Sequence, residues 1–320
     1  MNGTETFVYT KYVLHRTKFS ILLLLQVPAI ILSLLIFIFF AKNPTIRQAP
    51  HNRALIILLI VNFMQLSLTL PLNLHFYSQG YVSPATPTYC TWWTFIEFTF
   101  YVTSEYLMAT ISVQRHMLVF NSHVLNIRWM RITFHHVPLL FCLTYPMLFY
   151  FFVIILYPCD GSQWDYTNNL CGFADCYLVS NKVLGTLDWC INNGLPMLVN
   201  AFANLLLVVR VVHQKRRQHR PVTWKQQRRM TIQLFCISSL YLMAWSPCLI
   251  VGVVQILGNP TFLAEVQTDY FLDMIYIVCL FLPWICVGLL PELQKWMRVL
   301  FGCGPRRNII GTITQIGTKM

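Results

Sequence analysis

Four carboxylic acids stand inside long apolar stretches of this sequence: Glu97, Glu105, Asp188 and Asp273. An ionisable side chain at the centre of a bilayer costs at least about 2.5–3.5 kcal/mol, so such residues usually face the interior of a helix bundle. The same stretches show no lysine or arginine as an obvious partner. The acids are either neutral and hydrogen-bonded between helices, or they line a cavity that favours a cationic or donor-rich ligand. Glu105 lies deeper, and we expect it to serve packing or switching.

Aromatic side chains recur at the level of these acids, where they could supply cation–π contacts. They are Trp92, Trp93, Tyr101, Trp189, Tyr241, Trp245, Tyr270 and Tyr276. Those near the edge of an apolar stretch, such as Trp92, are more often anchors at the membrane interface. Trp245 lies in mid-stretch, two residues before Pro247. We therefore expect Trp245 to act as a switch beside a helix kink.

The composition shows which elements must position these residues. Of the 320 residues, 56% are hydrophobic and 11% are charged, against about 25% charged in an average soluble domain. The mean hydropathy is +0.56. A soluble domain of this size needs a charged, hydrated surface that this chain lacks. This composition excludes a soluble globular protein, a disordered chain and a nucleic-acid binder.

Membrane-crossing helices need about 20 mostly apolar residues, and the sequence contains seven such runs. They are expected at 20–41, 54–77, 91–114, 134–157, 183–212, 230–257 and 266–290. The first is too long for the apolar region of a signal peptide and lacks a cleavage pattern. We predict an all-α membrane protein: a seven-transmembrane helix bundle at 20–290, with a tail at 1–19 and a C-terminal segment at 291–320.

The C-terminal segment begins with the pattern of a short amphipathic eighth helix. Its apolar stripe consists of Leu293, Trp296, Met297, Leu300 and Phe301, and Lys295 and Arg298 lie off it. We expect it to lie along the inner membrane surface. Cys303, just beyond it, is a candidate for palmitoylation or an unmodified thiol.

The distribution of basic residues predicts the orientation. Of the 23 lysines and arginines, 19 fall after spans 1, 3, 5 and 7, and four fall on the other side. This predicts an extracellular N-terminus, although Lys11, Arg16 and Lys18 locally oppose it. An outward terminus also suits the glycosylation sequon at Asn2.

Four cysteines lie on the predicted outer side: Cys90, Cys159, Cys171 and Cys176. An even number in an oxidising compartment indicates two disulfides, whose pairing the spacing leaves open. The other seven cysteines lie in spans or on the inner side and are expected to be small buried side chains.

Landmark residues give these seven spans a family resemblance. Arg115 follows Cys90 by 25 residues, and Ala244-Trp245-Ser246-Pro247 stands in span 6. Span 5 holds Pro196, and span 7 ends with Leu282-Pro283-Trp284-Ile285-Cys286. In order and spacing these motifs resemble those of the rhodopsin-like G-protein-coupled receptors.

The chain departs from that family's pattern around Arg115. Gln114 precedes it where the family has an acidic residue, and Gln227 stands where a second acidic partner would lie at the foot of span 6. The inactive-state salt bridge is therefore not available in its usual form. We hypothesise that basal activity is high, or that packing alone holds the inactive state.

The resemblance implies a plasma-membrane receptor that binds an extracellular ligand between spans 3, 5, 6 and 7. The ligand-binding residues it implies are Glu97, Tyr101, Asp188, Trp245, Asp273 and Tyr276, and the acids among them favour a cationic ligand. It also implies a disulfide from Cys90 to the second outer loop. Cys176 is the preferred partner, with Cys159 joined to Cys171, and exchanging Cys171 and Cys176 is the alternative.

Activation of a heterotrimeric G protein is implied at the other end. Arg115 would meet the G protein when span 6 swings at Trp245 and Pro247, with Pro283 as the corresponding site in span 7.

Other functions fit the sequence less well. A zinc hydrolase would need histidines within the spans, and the nine histidines fall in tails, loops or span ends. We expect no catalytic residues, metal or cofactor. An ion- or proton-coupled transporter is the main alternative, because acids inside spans can carry protons. It predicts an inverted repeat and glycine-rich broken helices, and the 13 glycines are few in the spans.

Overall fold

The computed structural model describes residues 3–48, 50–120, 128–158, 163–172, 176–217, 221–259 and 261–300. Asn2, Cys159, Phe301 and Cys303 lie outside the described residues.

The described chain forms a seven-helix bundle followed by an eighth, short helix. Four are single helices: α1 (Gly3–Lys42), α3 (Pro87–Phe120), α6 (Pro221–Leu257) and α8 (Pro291–Leu300). Helix α2 comprises Pro50–Met64, Gln65–Thr69 and Leu70–Gln79, and α4 comprises Arg128–Arg131, Ile132–His136, Val137–Tyr150 and Phe151–Ile155. Helix α5 comprises Lys182–Leu187, Asp188–Gly194 and Leu195–Arg217, and α7 comprises Ala264–Val266, Gln267–Phe271 and Leu272–Leu289.

Helix α1 starts far ahead of the apolar run that predicts it. The run begins at residue 20, whereas the helix begins at Gly3. The added turns pack on the bundle: His15 is buried, with its ring 5.4 Å from that of Phe76. Lys11 donates a hydrogen bond to Asn168 at 3.3 Å. These contacts explain why a polar segment stays helical beyond the apolar stretch.

Six of the described helical segments are long and apolar enough to cross a membrane. The seventh member of the bundle, α3, is not among them because it carries polar residues, including Glu97 and Glu105. Helices α2, α4, α5 and α7 each contain a π-helical segment, a feature frequent at functional sites.

Helix α3 is the centre of the bundle and contacts α2, α4, α5 and α6. Helix α1 packs on α2 and α7, and α6 packs on α5 and α7. The interior includes Trp93, Tyr101, Met108 and Tyr276, all buried. Large apolar side chains on the outer faces are exposed, as expected for helices that face lipid; examples are Leu24, Leu198, Phe202 and Met243.

A disulfide between Cys90 and Cys171 marks one end of the bundle, called the disulfide end below. The preferred pairing of Cys90 with Cys176 is therefore wrong, and the alternative partner, Cys171, is the one observed. Cys176 is in a disulfide of its own.

The loop at 163–172 explains this pairing. The Val82 amide donates to the Tyr166 carbonyl at 2.8 Å, and the Asn169 amide donates to the Tyr77 hydroxyl at 3.0 Å, so the loop lies across α2. A turn with left-handed backbone at Leu170 and Cys171 then brings Cys171 to the start of α3. Cys176 instead begins the short helix Cys176–Ser180, which leads into α5.

Helix α8 packs its apolar side on the bundle. Leu293 is fully buried, and the Trp296 ring lies 5.8 Å from that of Phe39 on α1. Lys295 and Arg298 are exposed. Leu300 belongs to the predicted stripe but is exposed.

Candidate functional site

Glu97 is fully buried and joins three helices through hydrogen bonds. It accepts from the Trp93 indole nitrogen at 3.2 Å and from the Tyr276 hydroxyl of α7. The Asn73 amide of α2 donates in turn to the Tyr276 hydroxyl. Both carboxylate oxygens of Glu97 thus have protein donors, and the group holds α2, α3 and α7 together.

Asp188 lies in the π-helical segment of α5 and is also satisfied within the protein. Its Oδ1 accepts from the Tyr150 hydroxyl at 2.7 Å and from the Asn192 amide at 2.8 Å. Its Oδ2 accepts from the Tyr177 hydroxyl at 2.9 Å. The carboxyl therefore connects α4, the short helix at Cys176–Ser180 and α5. The two tyrosines were missed by sequence reasoning, because their orientation depends on how the helices are rotated.

Asp273 has a cationic partner, which corrects the expectation that the acids lack one. The Lys18 ammonium lies 2.8 Å from Asp273 Oδ2, and the Tyr77 hydroxyl donates to Oδ1. Lys18 lies over the rings of Tyr77 and Tyr270, 5.2 and 5.4 Å from their centroids. It also donates to the Asp269 carbonyl. Lys18 is polar at its tip and apolar along its stem, so it reaches into the bundle from the edge of the apolar run.

Glu105 differs from the other three acids. It is 5% exposed, and its Oε2 atom has no hydrogen-bond partner among the described residues. It lines a small cavity of about 10 Å³ between α3, α5 and α6, together with Pro196, Tyr241 and Trp245.

A larger cavity of about 30 Å³ lies nearer the disulfide end, between α3, α4, α5, α6 and α7. Among the predicted ligand-binding residues, Tyr101, Asp188 and Trp245 line it. The Tyr101 ring lies 5.5 Å from that of Trp245 and 6.1 Å from that of Tyr276, which places Glu97 and Tyr276 in the adjoining layer. Asp273 lies apart, with Lys18 and Tyr77 at the junction of α1, α2 and α7.

Arg115 lies toward the opposite end of α3 and is 6% exposed. It lines a small cavity together with Gln233 and with apolar side chains, which are Leu55, Leu58, Met108, Ile111, Leu234 and Ile237. Its neighbour Gln114 faces α4, where it lies 3.1 Å from the His135 ring nitrogen and donates to the Phe134 carbonyl.

A neutral polar cluster, not foreseen from the sequence, joins α3, α5 and α6 between Arg115 and the cavities. The Ser112 hydroxyl donates to Asn200 at 2.8 Å, and the Asn204 amide lies within 3.1 Å of Ser112 and 2.9 Å of Ser238. Pro247 lies within α6, and Pro283 lies buried within α7. Among the described residues no group of histidine, cysteine and acid side chains could hold a metal ion.

The family model for the 7 transmembrane receptor (rhodopsin family) matches residues 32–286, well over half of the chain. The chain therefore belongs to the rhodopsin family of seven-transmembrane receptors. It is a multi-pass signalling receptor of the plasma membrane. No curated protein matches the chain.

Proposed function

We propose that this receptor binds an extracellular ligand in the cavity at the disulfide end and activates a heterotrimeric G protein at the opposite end. The basic residues concentrated after spans 1, 3, 5 and 7 support an extracellular N-terminus. The disulfide end then faces outward, where its disulfides suit the oxidising compartment.

The observation that carries this proposal is the contact between the cavity and the turn of α6 that contains Pro247. Tyr101 and Trp245 line the cavity, their rings touch edge to face, and Pro247 follows Trp245 by two residues in α6. A ligand that fits better when Trp245 is displaced favours a bent α6 by its differential affinity.

Movement of α6 would expose Arg115. The Asn204–Ser238 hydrogen bond ties α6 to α5, and Gln233 and Leu234 of α6 line a small cavity with Arg115. Swinging the inner end of α6 breaks that bond and moves Gln233 and Leu234 away from Arg115. The guanidinium then becomes available to the G protein, while Glu97 and Tyr276 keep α3 and α7 together.

The test is nucleotide exchange on a purified G protein by receptor in lipid nanodiscs. Arg115→Ala should abolish exchange without changing surface expression. Arg47→Ala is the matched control, because Arg47 is exposed and follows span 1 on the same side. Normal exchange by Arg115→Ala contradicts the assignment, and proton-coupled uptake into vesicles would favour a transporter instead.

A second variant examines the missing acidic neighbour. Gln114→Glu restores the acidic residue that precedes the arginine in the family's pattern, which should lower ligand-free exchange if basal activity is high. An unchanged low level in wild type and variant shows instead that packing holds the inactive state.

A further inference from the structure

The cavity at the disulfide end is too small for any ligand in the arrangement observed. Its volume of about 30 Å³ is room for about two water molecules, whereas ligand pockets usually measure about 300–1,000 Å³. A ligand must therefore displace a side chain that now fills the space.

Trp189 is a large side chain in the wall of this cavity. It projects from the π-helical segment of α5, is 6% exposed, and lines the cavity. Its ring lies flat on Gly252 of α6: a Cβ atom at position 252 would stand 2.6 Å from the Cδ2, Cε2 and Cε3 atoms of the ring. Equal distances to three ring atoms mean that the face of the indole, and not its edge, covers the glycine. Gly252 thus provides a flat recess that admits one aromatic ring.

The wall of the cavity is mainly aromatic and apolar, with Asp188, Asn193 and Cys248 as its polar members. Besides Trp189, its aromatic rings belong to Phe98, Tyr101, Tyr150 and Trp245. Such walls hold a further ring through offset or edge-to-face contacts, with centroids about 4.5–7 Å apart.

The cavity offers no unengaged charge to a ligand among its described residues. Asp188 is the only carboxylate in its wall, and both oxygens already accept hydrogen bonds from Tyr150, Asn192 and Tyr177. Glu97 is engaged by Trp93 and Tyr276, and Asp273 by Lys18. A cationic ligand would have to break these contacts, and an uncharged one would not.

We propose that Trp189 occupies the ligand site as a built-in substitute, and that the ligand is an uncharged, flat aromatic molecule that takes its place against Gly252. This inference rests on the proposed function, because it names the ligand class for the same cavity. It replaces the cationic ligand that the acids alone suggest.

The test removes the Trp189 side chain and measures whether added indole binds in the recess beside Gly252. Trp189→Ala in nanodiscs should have a lower melting temperature than wild type, and indole should restore it in a saturable manner. Tryptamine, which is indole with an ammonium arm, should bind at least about tenfold more weakly because its charge must leave water. The variant Trp189→Ala/Gly252→Ala is the matched control: the added methyl group fills the recess, so indole should not stabilise it.

The outcomes separate this inference from the proposed function. Absence of an indole effect on Trp189→Ala, an equal effect on the double variant, or tighter binding of tryptamine overturns the inference. If Trp189→Ala does not fold, Trp189→Leu keeps an apolar side chain of intermediate size and should show the same indole dependence. These measurements need no G protein, so they can succeed or fail whatever the exchange assay shows.

Discussion

The two ends of the bundle are held together by different kinds of contact. At the disulfide end a covalent bond, the Lys18–Asp273 ion pair and the hydrogen bonds to Asp188 join the helices. Toward the opposite end neutral amide and hydroxyl groups do so, as between Asn204 and Ser238. Hydrogen bonds to charged groups contribute about 1.5–3 kcal/mol, against about 1 kcal/mol for neutral ones. The opposite end is therefore where the helices separate at least cost, which suits a receptor whose signal leaves there.

Removing the Cys90–Cys171 disulfide should destabilise the protein more than any other change proposed for the two ends. Cys90 and Cys171 close a loop of 81 residues, and Cys90→Ser should lower the free energy of unfolding by about 4 kcal/mol. Thermal unfolding in nanodiscs measures this. Cys236→Ser is the control, because that cysteine is free. An unchanged melting temperature in Cys90→Ser would show that the disulfide end does not depend on the bond.

Breaking the Lys18–Asp273 ion pair should have the second-largest effect on stability. Lys18→Met leaves the Asp273 carboxyl largely buried without its cation, at a cost of about 3 kcal/mol. Lys18→Met/Asp273→Leu should recover most of that loss, because it leaves no isolated charge. Lys182→Met, at an exposed lysine on the same side, should have no effect. Failure of the double variant to regain stability would mean that Lys18 acts through packing over Tyr77 and Tyr270.

Replacing Glu105 should stabilise the protein instead of destabilising it. Its Oε2 has no described partner, so Glu105→Leu removes an unsatisfied buried group and should stabilise the protein by about 2 kcal/mol. Glu97→Leu is the matched contrast, because it deprives Trp93 and Tyr276 of their acceptor and should destabilise. If Glu105→Leu also destabilises the protein, that result would show that the Glu105 carboxyl holds a bound partner.

The smallest effect concerns the loop at 163–172. Burial alone would raise the pKa of Asp165, but hydrogen bonds from Thr167 and Asn168 and the charge of Lys11 lower it below its usual 3.8. A carboxylate whose pKa falls on folding contributes stability above its ordinary pKa and loses it as the pH falls further. Amide exchange at Thr167, whose N–H donates to Asp165, should therefore be more protected at pH 5 than at pH 3, after correction for intrinsic rates. Asp165→Asn should remove this difference in protection. If the difference persists, groups other than Asp165 cause it.

The sequence predicted the helix bundle because apolar runs of membrane length are unambiguous, and the family because its landmark residues keep their spacing. It could not predict the partners of the acids. Tyr150, Tyr177 and Tyr276 reach Asp188 and Glu97 only through the rotation of separate helices, and rotation leaves no local signal. Lys18 was counted among the residues of a tail, because nothing in the apolar pattern shows that α1 begins at Gly3. The only hint was that basic residues before span 1 opposed the charge distribution.

The length of α1 has a mechanical consequence. Its 40 residues form a rod of about 60 Å, roughly twice the hydrocarbon thickness of a bilayer. Because the helix is continuous from Gly3 to Lys42 and carries Lys18 along its length, a force applied at Gly3 passes through the turns that hold Lys11 and His15 against the bundle before it reaches Lys18. An antibody fragment or a tether attached ahead of Lys11 would therefore load these contacts and the Lys18–Asp273 ion pair, without touching the cavity.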